Sequence, residues 1–259
     1  MSRHRIGSRS SLARAAGSLA LLLALAPAAA RAQGSGFLLG TPMGSLSIRG
    51  GYDHANAGSD IFNDPSTTGQ LTLQKSDFSS PSLAVDLGVR ISDRFDFILG
   101  SAYAGVKKGS HYRNFTEGAD NKEIEQTTAF QRVPITGSFR MYLASRGRSV
   151  GKFAWIPNKV APYVGGGGGL MWYRFRQAGD FIDFSSANSR IYTAATETSN
   201  WTPEAHAFAG LDYTINPRLA LTGETRYTWG RGPISSDYVG FHRIDLSGIA
   251  ASAGLAVRF

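Results

Sequence analysis

The last stretch of the chain, residues 244–259, places the strongest constraint on the fold, and it reads IDLSGIAASAGLAVRF. From Ile249 to Phe259 every second residue is apolar, and the residues between them are small or polar. A period of two predicts a β-strand with two unlike faces. Because about 9–11 residues are enough for a tilted strand to cross a bilayer, we expect this strand to close a transmembrane β-barrel.

The first 32 residues have the order of a secretory signal peptide. Arginines at positions 3, 5, 9 and 14 precede an apolar run at 19–26, which is followed by Ala30-Arg31-Ala32. The run is too short for a membrane-spanning helix, which needs about 20 residues. We therefore predict cleavage after Ala32, a periplasmic lead-in at 33–44 and a barrel domain at 45–259.

Charge and composition exclude several classes of function. Of the 27 lysines and arginines, five lie in residues 1–32, which leaves 22 against 19 acids in the predicted mature chain. This near balance gives no case for nucleic acid binding. The absence of cysteine excludes zinc fingers, thiol nucleophiles and disulfides. No metal-ligand spacing occurs either, so we expect no metal and no cofactor.

Seven further segments alternate like the last one, which predicts eight strands in all. They are residues 45–53, 82–91, 95–104, 130–142, 161–176, 204–213 and 219–229. Long polar connections at 54–80, 107–127, 177–199 and 231–243 alternate with shorter ones, and the intermediate connection at 144–160 is expected to hold a short helix or an interfacial hairpin. This pattern favours an up-and-down barrel with four extracellular loops and both termini in the periplasm.

Three local features lead to further expectations. Pro134 lies inside a strand and lacks an N–H, so we expect a β-bulge there. The five glycines at 165–169 are not followed by the residues of a phosphate-binding loop, and they predict a bend or the close approach of a packed side chain. Trp172, Tyr173 and Phe175 follow them and are expected to form part of an aromatic belt at the membrane surface.

The combination of these features resembles a known family. The signal peptide, the eight strands, the Asn-Pro-Arg turn at 216–218, inward Glu224 and Arg226, and the terminal Val-Arg-Phe are similar to the small outer-membrane β-barrels of the OmpA/OmpW-like kind. The resemblance covers essentially all of the mature chain. It implies a cell outer-membrane location, with outer-membrane lipid and lipopolysaccharide as neighbours. It also implies that the barrel assembly machinery recognises the last strand through Leu255, Val257 and Phe259.

The strand pattern points many charged side chains into the lumen. An eight-stranded barrel is just wide enough to be filled by side chains, and buried charges persist only when they are paired. We therefore predict a salt-bridged interior, with a narrow polar path or a ligand site as the alternative. The predicted network consists of Arg49, Asp86, Arg90, Asp96, Arg132, Arg140, Glu204, His206, Asp212, Glu224, Arg226 and Arg258.

These expectations favour a non-enzymatic envelope scaffold that presents four extracellular loops around a non-conducting lumen. One alternative is a porin-like passage for small or hydrophobic solutes. A second alternative is a lipid-modifying enzyme at the rim, in which His206 and Glu204 supply an acid–base pair. A lone inward histidine within an ion-pair network is more often structural, and the loop sequences do not indicate an extracellular ligand.

Overall fold

The computed structural model describes residues 36–63, 68–118, 120–151, 153–183 and 190–259. The predicted signal peptide and residues 33–35 of the lead-in lie outside this range. No helix within the described residues has the length and apolar character that a membrane span requires.

Eight antiparallel strands close into a ring, as predicted. Each strand pairs with the next, and the last pairs with the first, for example through Leu255 and Ile48. The closed ring therefore leaves no sheet edge within its wall. The strands are β1 (Gly44–Ala55), β2 (Ser80–Arg90), β3 (Phe95–Glu117), β4 (Lys122–Tyr142), β5 (Val160–Asp183), β6 (Arg190–Thr214), β7 (Leu219–Gly232) and β8 (Gly248–Arg258).

The two faces of the wall differ as the alternating pattern predicts. On β8, Leu255 and Val257 point outward and are 48% and 40% exposed, whereas Arg258 points into the lumen and is 7% exposed. The same alternation between outward and inward side chains repeats in the other strands. Around the whole ring, the apolar side chains lie outside and the charged ones inside. An exposed apolar band around a closed ring is stable against lipid chains, because the backbone is satisfied within the ring.

The prediction of two long loops at 107–127 and 177–199 is wrong, because residues 107–117, 122–127, 177–183 and 190–199 continue the strands. The β3–β4 ladder reaches the pair Glu117 and Lys122, and the β5–β6 ladder reaches Asp183 and Arg190. The outward side chains of these extensions are mostly polar, so the alternation of hydropathy is weak there. We name this end of the barrel the hairpin end, and the opposite end, which carries the short connections, the turn end.

The other two long connections fold into the mouth at the hairpin end. They contain the 3-10 turns Asp60–Phe62, Thr68–Gln70, Lys75–Phe78 and Ser236–Tyr238, and the short strand Ile244–Asp245. Their apolar side chains meet the inward faces of the extended strands, with ring centroids 4.6 Å apart for Phe62 and Phe78 and 5.7 Å apart for Phe62 and Phe175. We name the resulting cluster the apolar plug. Its buried members are Ala55, Ala57, Ile61, Phe62, Leu71, Leu73, Phe78, Tyr112, Ile124, Phe130, Met171, Tyr173, Phe175, Ile182, Tyr238, Ile244 and Leu246.

A small three-stranded sheet covers the turn end. The connection between β4 and β5 forms a hairpin from Gly147–Val150 and Ala154–Pro157, and Leu38–Leu39 of the lead-in adds a third strand. The hairpin alternative for 144–160 is thus the one that forms. Trp155 faces the lumen from this sheet and is 2% exposed. We name this sheet the lid.

The bulge predicted at Pro134 is wrong. The β3–β4 register is the same on both sides of the proline, with Ser101 opposite Ile135 and Ala104 opposite Arg132. The ladder is only interrupted between these pairs, because proline has no N–H to donate. The Ser101 hydroxyl donates a hydrogen bond of 3.0 Å to the Pro134 carbonyl oxygen.

The glycine run allows close packing inside the lumen. The Phe208 ring lies so close to Gly165 that a Cβ atom there would overlap it. In the aromatic segment that follows, only Trp172 fits the predicted belt. Tyr173 and Phe175 point inward and are buried in the apolar plug, because they alternate with Trp172 along β5.

Candidate functional site in the barrel lumen

The centre of the lumen is organised around the carboxylate of Glu224 on β7. Arg226 lies 2.9 Å from its Oε1 and Arg49 lies 3.1 Å from the same atom. Arg140 approaches Oε2 at 3.7 Å, and Arg49 also pairs with Asp86 at 2.6 Å. We name these five residues the Glu224 cluster. They come from β1, β2, β4 and β7, so the cluster ties together strands from around the ring.

Tyr163 on β5 completes the Glu224 cluster from two strands away in the wall. Its hydroxyl donates to Glu224 Oε2 at 3.2 Å, and the Arg140 guanidinium lies 4.3 Å from the centre of its ring. Its ring packs directly on Gly210 of β6, where a Cβ atom would collide with it. The cation–π contact and the hydrogen bond therefore depend on a glycine in the neighbouring strand.

A second layer of charges lies between the Glu224 cluster and the lid. Asp96 pairs at 2.8 Å with Arg146, which enters the lumen from the lid connection. Tyr142 donates to Asp212 at 3.0 Å. Arg258 donates to Thr214 at 3.1 Å, and its guanidinium lies 5.9 Å from the Trp155 ring centre. Arg90 pairs with Asp93 of the adjacent turn at 2.5 Å, so it lies at the rim.

A third layer faces the apolar plug. Arg132 pairs with Asp53 at 2.7 Å and donates to the Leu246 carbonyl oxygen at 2.9 Å. On the other wall, His206 lies between Glu204 and Ser138, with Nδ1 3.0 Å from Glu204 Oε1 and Nε2 2.7 Å from the Ser138 hydroxyl.

A small polar cavity separates the Glu224 cluster from the apolar plug. Its volume is about 60 Å³, and charged side chains and small residues of β2 and β3 line it, among them Glu204, Arg226 and Ala102. This space is large enough for a few water molecules, and the polar lining supplies the partners that buried water needs.

The sequence pattern placed the twelve predicted lumen residues on inward faces, and the structure locates all of them there or at the rim. It also adds partners that the charge inventory left out: Asp53, Ser138, Tyr142, Arg146, Trp155 and Tyr163. Asp53 lies on the predicted inner face of β1, so the alternation of β1 is sufficient to predict that its side chain points into the lumen. Arg146 and Trp155 carried no such signal, because their position depends on the fold of the lid.

The arrangement of the histidine and carboxylate side chains does not suggest a metal centre. Among the described residues, no group of three or more histidine, aspartate or glutamate side chains is arranged to hold a metal ion. The lumen carboxylates are instead shared among arginines and tyrosines.

A closed ring of eight antiparallel strands, apolar outside and ion-paired inside, defines the chain as an outer-membrane β-barrel protein. In such barrels the short turns face the periplasm. The lid end is therefore the periplasmic end, and the apolar plug lies at the extracellular end.

No protein-family model matches the sequence, and no curated protein sequence is significantly similar to it. Among solved structures, the chain is similar to Neisserial surface protein A, with 13% identity, a TM-score of 0.43, and coverage of 85% of this chain and 98% of that one. It is similar to OprG of Pseudomonas aeruginosa, with 15% identity, a TM-score of 0.43, and coverage of 86% and 99%. For Ail of Yersinia pestis, determined with the heparin analogue sucrose octasulfate, the identity is 15%, the TM-score 0.39, and the coverage 84% and 99%. Because these identities and TM-scores are low, the assignment of the fold depends on the closed ring of strands and not on these similarities.

Proposed function

We propose that this protein is an outer-membrane scaffold with a non-conducting lumen, which presents rigid hairpins to the cell exterior. The observation that carries this proposal is the presence of three closures in series along the barrel axis. They are the apolar plug, the Glu224 cluster and the lid.

Each closure blocks passage in a different way. The apolar plug offers an ion few polar partners, and moving a charge into such a region is very costly. The Glu224 cluster has its carboxylate 1% exposed and shared among arginines, so an ion that passes must break buried pairs. At the periplasmic end, the buried Trp155 side chain lies in the mouth beside Arg258 and narrows it. A solute therefore has to displace all three.

The hairpins that rise above the membrane are stiff. The β5–β6 ladder continues to the last described pair, and β4 and β5 remain paired up to Gln126 and Gly179. A paired wall presents fixed side chains to a partner, so binding to it involves little loss of conformational entropy.

The test is conductance of the purified, refolded protein in planar bilayers. The wild type is expected to give no stable current steps. A variant that combines Trp155→Ala with Glu224→Ala and Phe62→Ala weakens all three closures, and it is expected to conduct if it still refolds. Stable steps in the wild type would contradict the proposal.

A lateral passage for small hydrophobic solutes is the second candidate. Glu204 lines both the internal cavity and an open recess in the outer wall, where Tyr227 and Trp229 project. The β7–β8 ladder is interrupted beside this recess, because the Gly230 N–H donates to the Ser247 hydroxyl at 3.3 Å. The interruption is short, because Gly230 stays paired with Glu204 on β6 and the pairing resumes at Arg231 and Asp245. A wall that is weakened at this point favours exchange between the lumen and the membrane.

This second candidate predicts that filling the recess stops transfer. Ala205 lines it, so Ala205→Trp is expected to reduce uptake of a hydrophobic fluorescent dye into vesicles that contain the protein. Ala209→Trp on the same outward face of β6 is the matched control and is expected to have no effect. Equal uptake with the wild type, the variant and protein-free vesicles would reject a lateral passage.

We further propose that the Ser138–His206–Glu204 array is structural and that the protein is not an enzyme. The spacing is that of a nucleophile, base and orienting acid. However, Ser138 is only 1% exposed, and a nucleophile must contact its substrate. The proposal predicts no labelling by a fluorophosphonate probe, and an unchanged lipid A profile in cells that express His206→Ala instead of the wild type. Labelling that is lost in His206→Ala would overturn it.

A further inference from the structure

We propose that Lys107, Arg174 and Arg176 form a binding row for the phosphates of an outer-leaflet glycolipid. We name these three residues the cation row. The inference relies on the outer-membrane placement of the barrel, but it does not require a closed lumen.

The cation row lies on the outer wall directly beyond the extracellular aromatic residues. Trp172 on β5 is paired with Trp201 on β6, and both rings point outward. Arg174 and Arg176 are the next two outward residues of β5 beyond Trp172. On β3, Lys107 is the second outward residue beyond Tyr103, which is 47% exposed. Tryptophan and tyrosine rings mark the boundary of the hydrocarbon, so the cation row lies at headgroup depth.

The register brings the cations together around a small residue. Lys107 is opposite Ala129 of β4, and Ala129 is opposite Arg176 of β5. Two strand spacings separate the backbones of Lys107 and Arg176, which is about 10 Å. The short Ala129 side chain leaves the space between the two long side chains open. One step lower, Gln131 is opposite Arg174 and adds an amide donor.

The protein neutralises only part of the charge of the cation row. Glu197 pairs with Arg174 at 2.7 Å and lies 3.9 Å from Arg176. The hydrogen bond from Arg174 lowers the pKa of Glu197 below its ordinary value, so this carboxylate stays charged. Lys107 has no hydrogen-bond or ion-pair partner among the described residues. Three cations therefore face one carboxylate.

Two outward acids lie farther from the membrane than the cation row. Glu125 lies four residues beyond Ala129 on β4, and Asp180 lies four residues beyond Arg176 on β5. The three cations, with Glu197 as their acidic neighbour, lie between these acids and the aromatic residues. The charge of this part of the wall is therefore net positive at headgroup depth, where it attracts a phosphate.

These features select a headgroup with more than one phosphate. A single phosphate is small compared with the spacing of Lys107 and Arg176, whereas a phosphorylated sugar headgroup reaches both sides of Ala129. The aliphatic stems of lysine and arginine pack along the wall while their charged ends reach the headgroup. Diphosphoryl lipid A is the probe with this chemistry.

The experiment compares lipids bound to the refolded protein in phosphatidylcholine nanodiscs. Native mass spectrometry counts bound diphosphoryl lipid A, monophosphoryl lipid A and phosphatidic acid in competition. The wild type is expected to prefer the diphosphoryl lipid. Lys107→Gln with Arg176→Gln removes two cations without breaking the 2.7 Å pair of Arg174. Each cation near an anionic lipid surface changes the association constant by about five-fold, so binding of diphosphoryl lipid A is expected to fall about 25-fold and its advantage over the other two lipids to be lost.

The control variant Lys75→Gln with Lys122→Gln removes two exposed cations at the hairpin end, away from the cation row. It is expected to keep the wild-type preference. Heat-modifiable mobility on a gel verifies that each variant is a folded barrel. An equal loss in the control would mean general attraction and overturn the site. Equal binding of phosphatidic acid would overturn the glycolipid assignment, and neither outcome affects the conductance test of the lumen.

Discussion

Replacing Glu224 by glutamine tests whether the centre of the lumen holds the barrel together. The substitution keeps the shape of the side chain and removes its charge. Its carboxylate is 1% exposed and has Arg226 at 2.9 Å and Arg49 at 3.1 Å. Arg49, Arg140 and Arg226 then remain in the lumen with Asp86 as the one anion of the Glu224 cluster. The cluster therefore has a larger excess of positive charge.

The size of the effect follows from the burial of these pairs. Removing one partner of a buried ion pair destabilises a protein by about 3–5 kcal/mol. Glutamine still accepts hydrogen bonds from the arginines, so we expect a loss near the lower limit, about 3 kcal/mol. Glu197→Gln is the matched control, because it removes a carboxylate from an arginine at 2.7 Å where both side chains are more than a third exposed. Exposed pairs contribute about 0–1 kcal/mol.

The assay is urea unfolding in lipid vesicles, followed by tryptophan fluorescence and by the heat-modifiable shift on a gel. The free energy of unfolding at zero denaturant is compared between the two variants, with the slope on urea as the check for a common unfolding reaction. A cost for Glu224→Gln below about 1 kcal/mol, or one equal to that of Glu197→Gln, would refute the conclusion that buried pairing stabilises the interior.

Other predictions concern the two ends of the barrel. Trp155→Ala is expected to destabilise the folded barrel by about 3–5 kcal/mol, measured by the same urea titration, because it empties a buried site in the lid. Phe62→Ala is expected to loosen the apolar plug and to speed pepsin cleavage of residues 56–79, without changing the gel shift of the barrel. Partial burial raises the pKa of Asp60, but hydrogen bonds from His242 outweigh it and lower the pKa below the ordinary value. Because the pKa is lower in the folded state, ionised Asp60 stabilises the loop above about pH 3.9, and this stabilisation is lost as the pH falls through the folded-state pKa. Protection of residues 56–63 against hydrogen exchange, taken relative to the intrinsic rate at each pH, is therefore expected to fall there, and Asp60→Asn is expected to remove this dependence.

The ring and its two faces are predictable from the sequence because lipid imposes a strict rule on every strand. Within the membrane, outward residues must be apolar, so Leu255 and Val257 alternate visibly with Arg258. This requirement for apolar outward residues does not apply beyond the lipid headgroups. Beyond them, outward residues are polar, and the period survives only in inward residues such as Tyr112 and Ile124, which contact the apolar plug.

The pairing inside the lumen is a different case. The alternation of β1 and β7 indicates that Arg49 and Glu224 point inward, but the two are 175 residues apart. Their contact depends on closure of the ring and on the registers of β8 with β7 and with β1, and no local pattern encodes these. The position of Trp155 is still less predictable, because it needs a hairpin to cross the mouth and meet the lead-in.

The lid lies outside the membrane and joins parts of the chain that come together when the ring closes. Its hairpin starts from β4 and β5, whereas its third strand, Leu38–Leu39, leads into β1. β1 and β5 are four steps apart in an eight-membered ring, so these two parts meet across the full width of the mouth. A linear or partly zipped sheet holds them far apart. The pairing of Leu39 with Ala154 is therefore a water-exposed signal that assembly is complete, and a pair of distance labels there reports the last step of insertion.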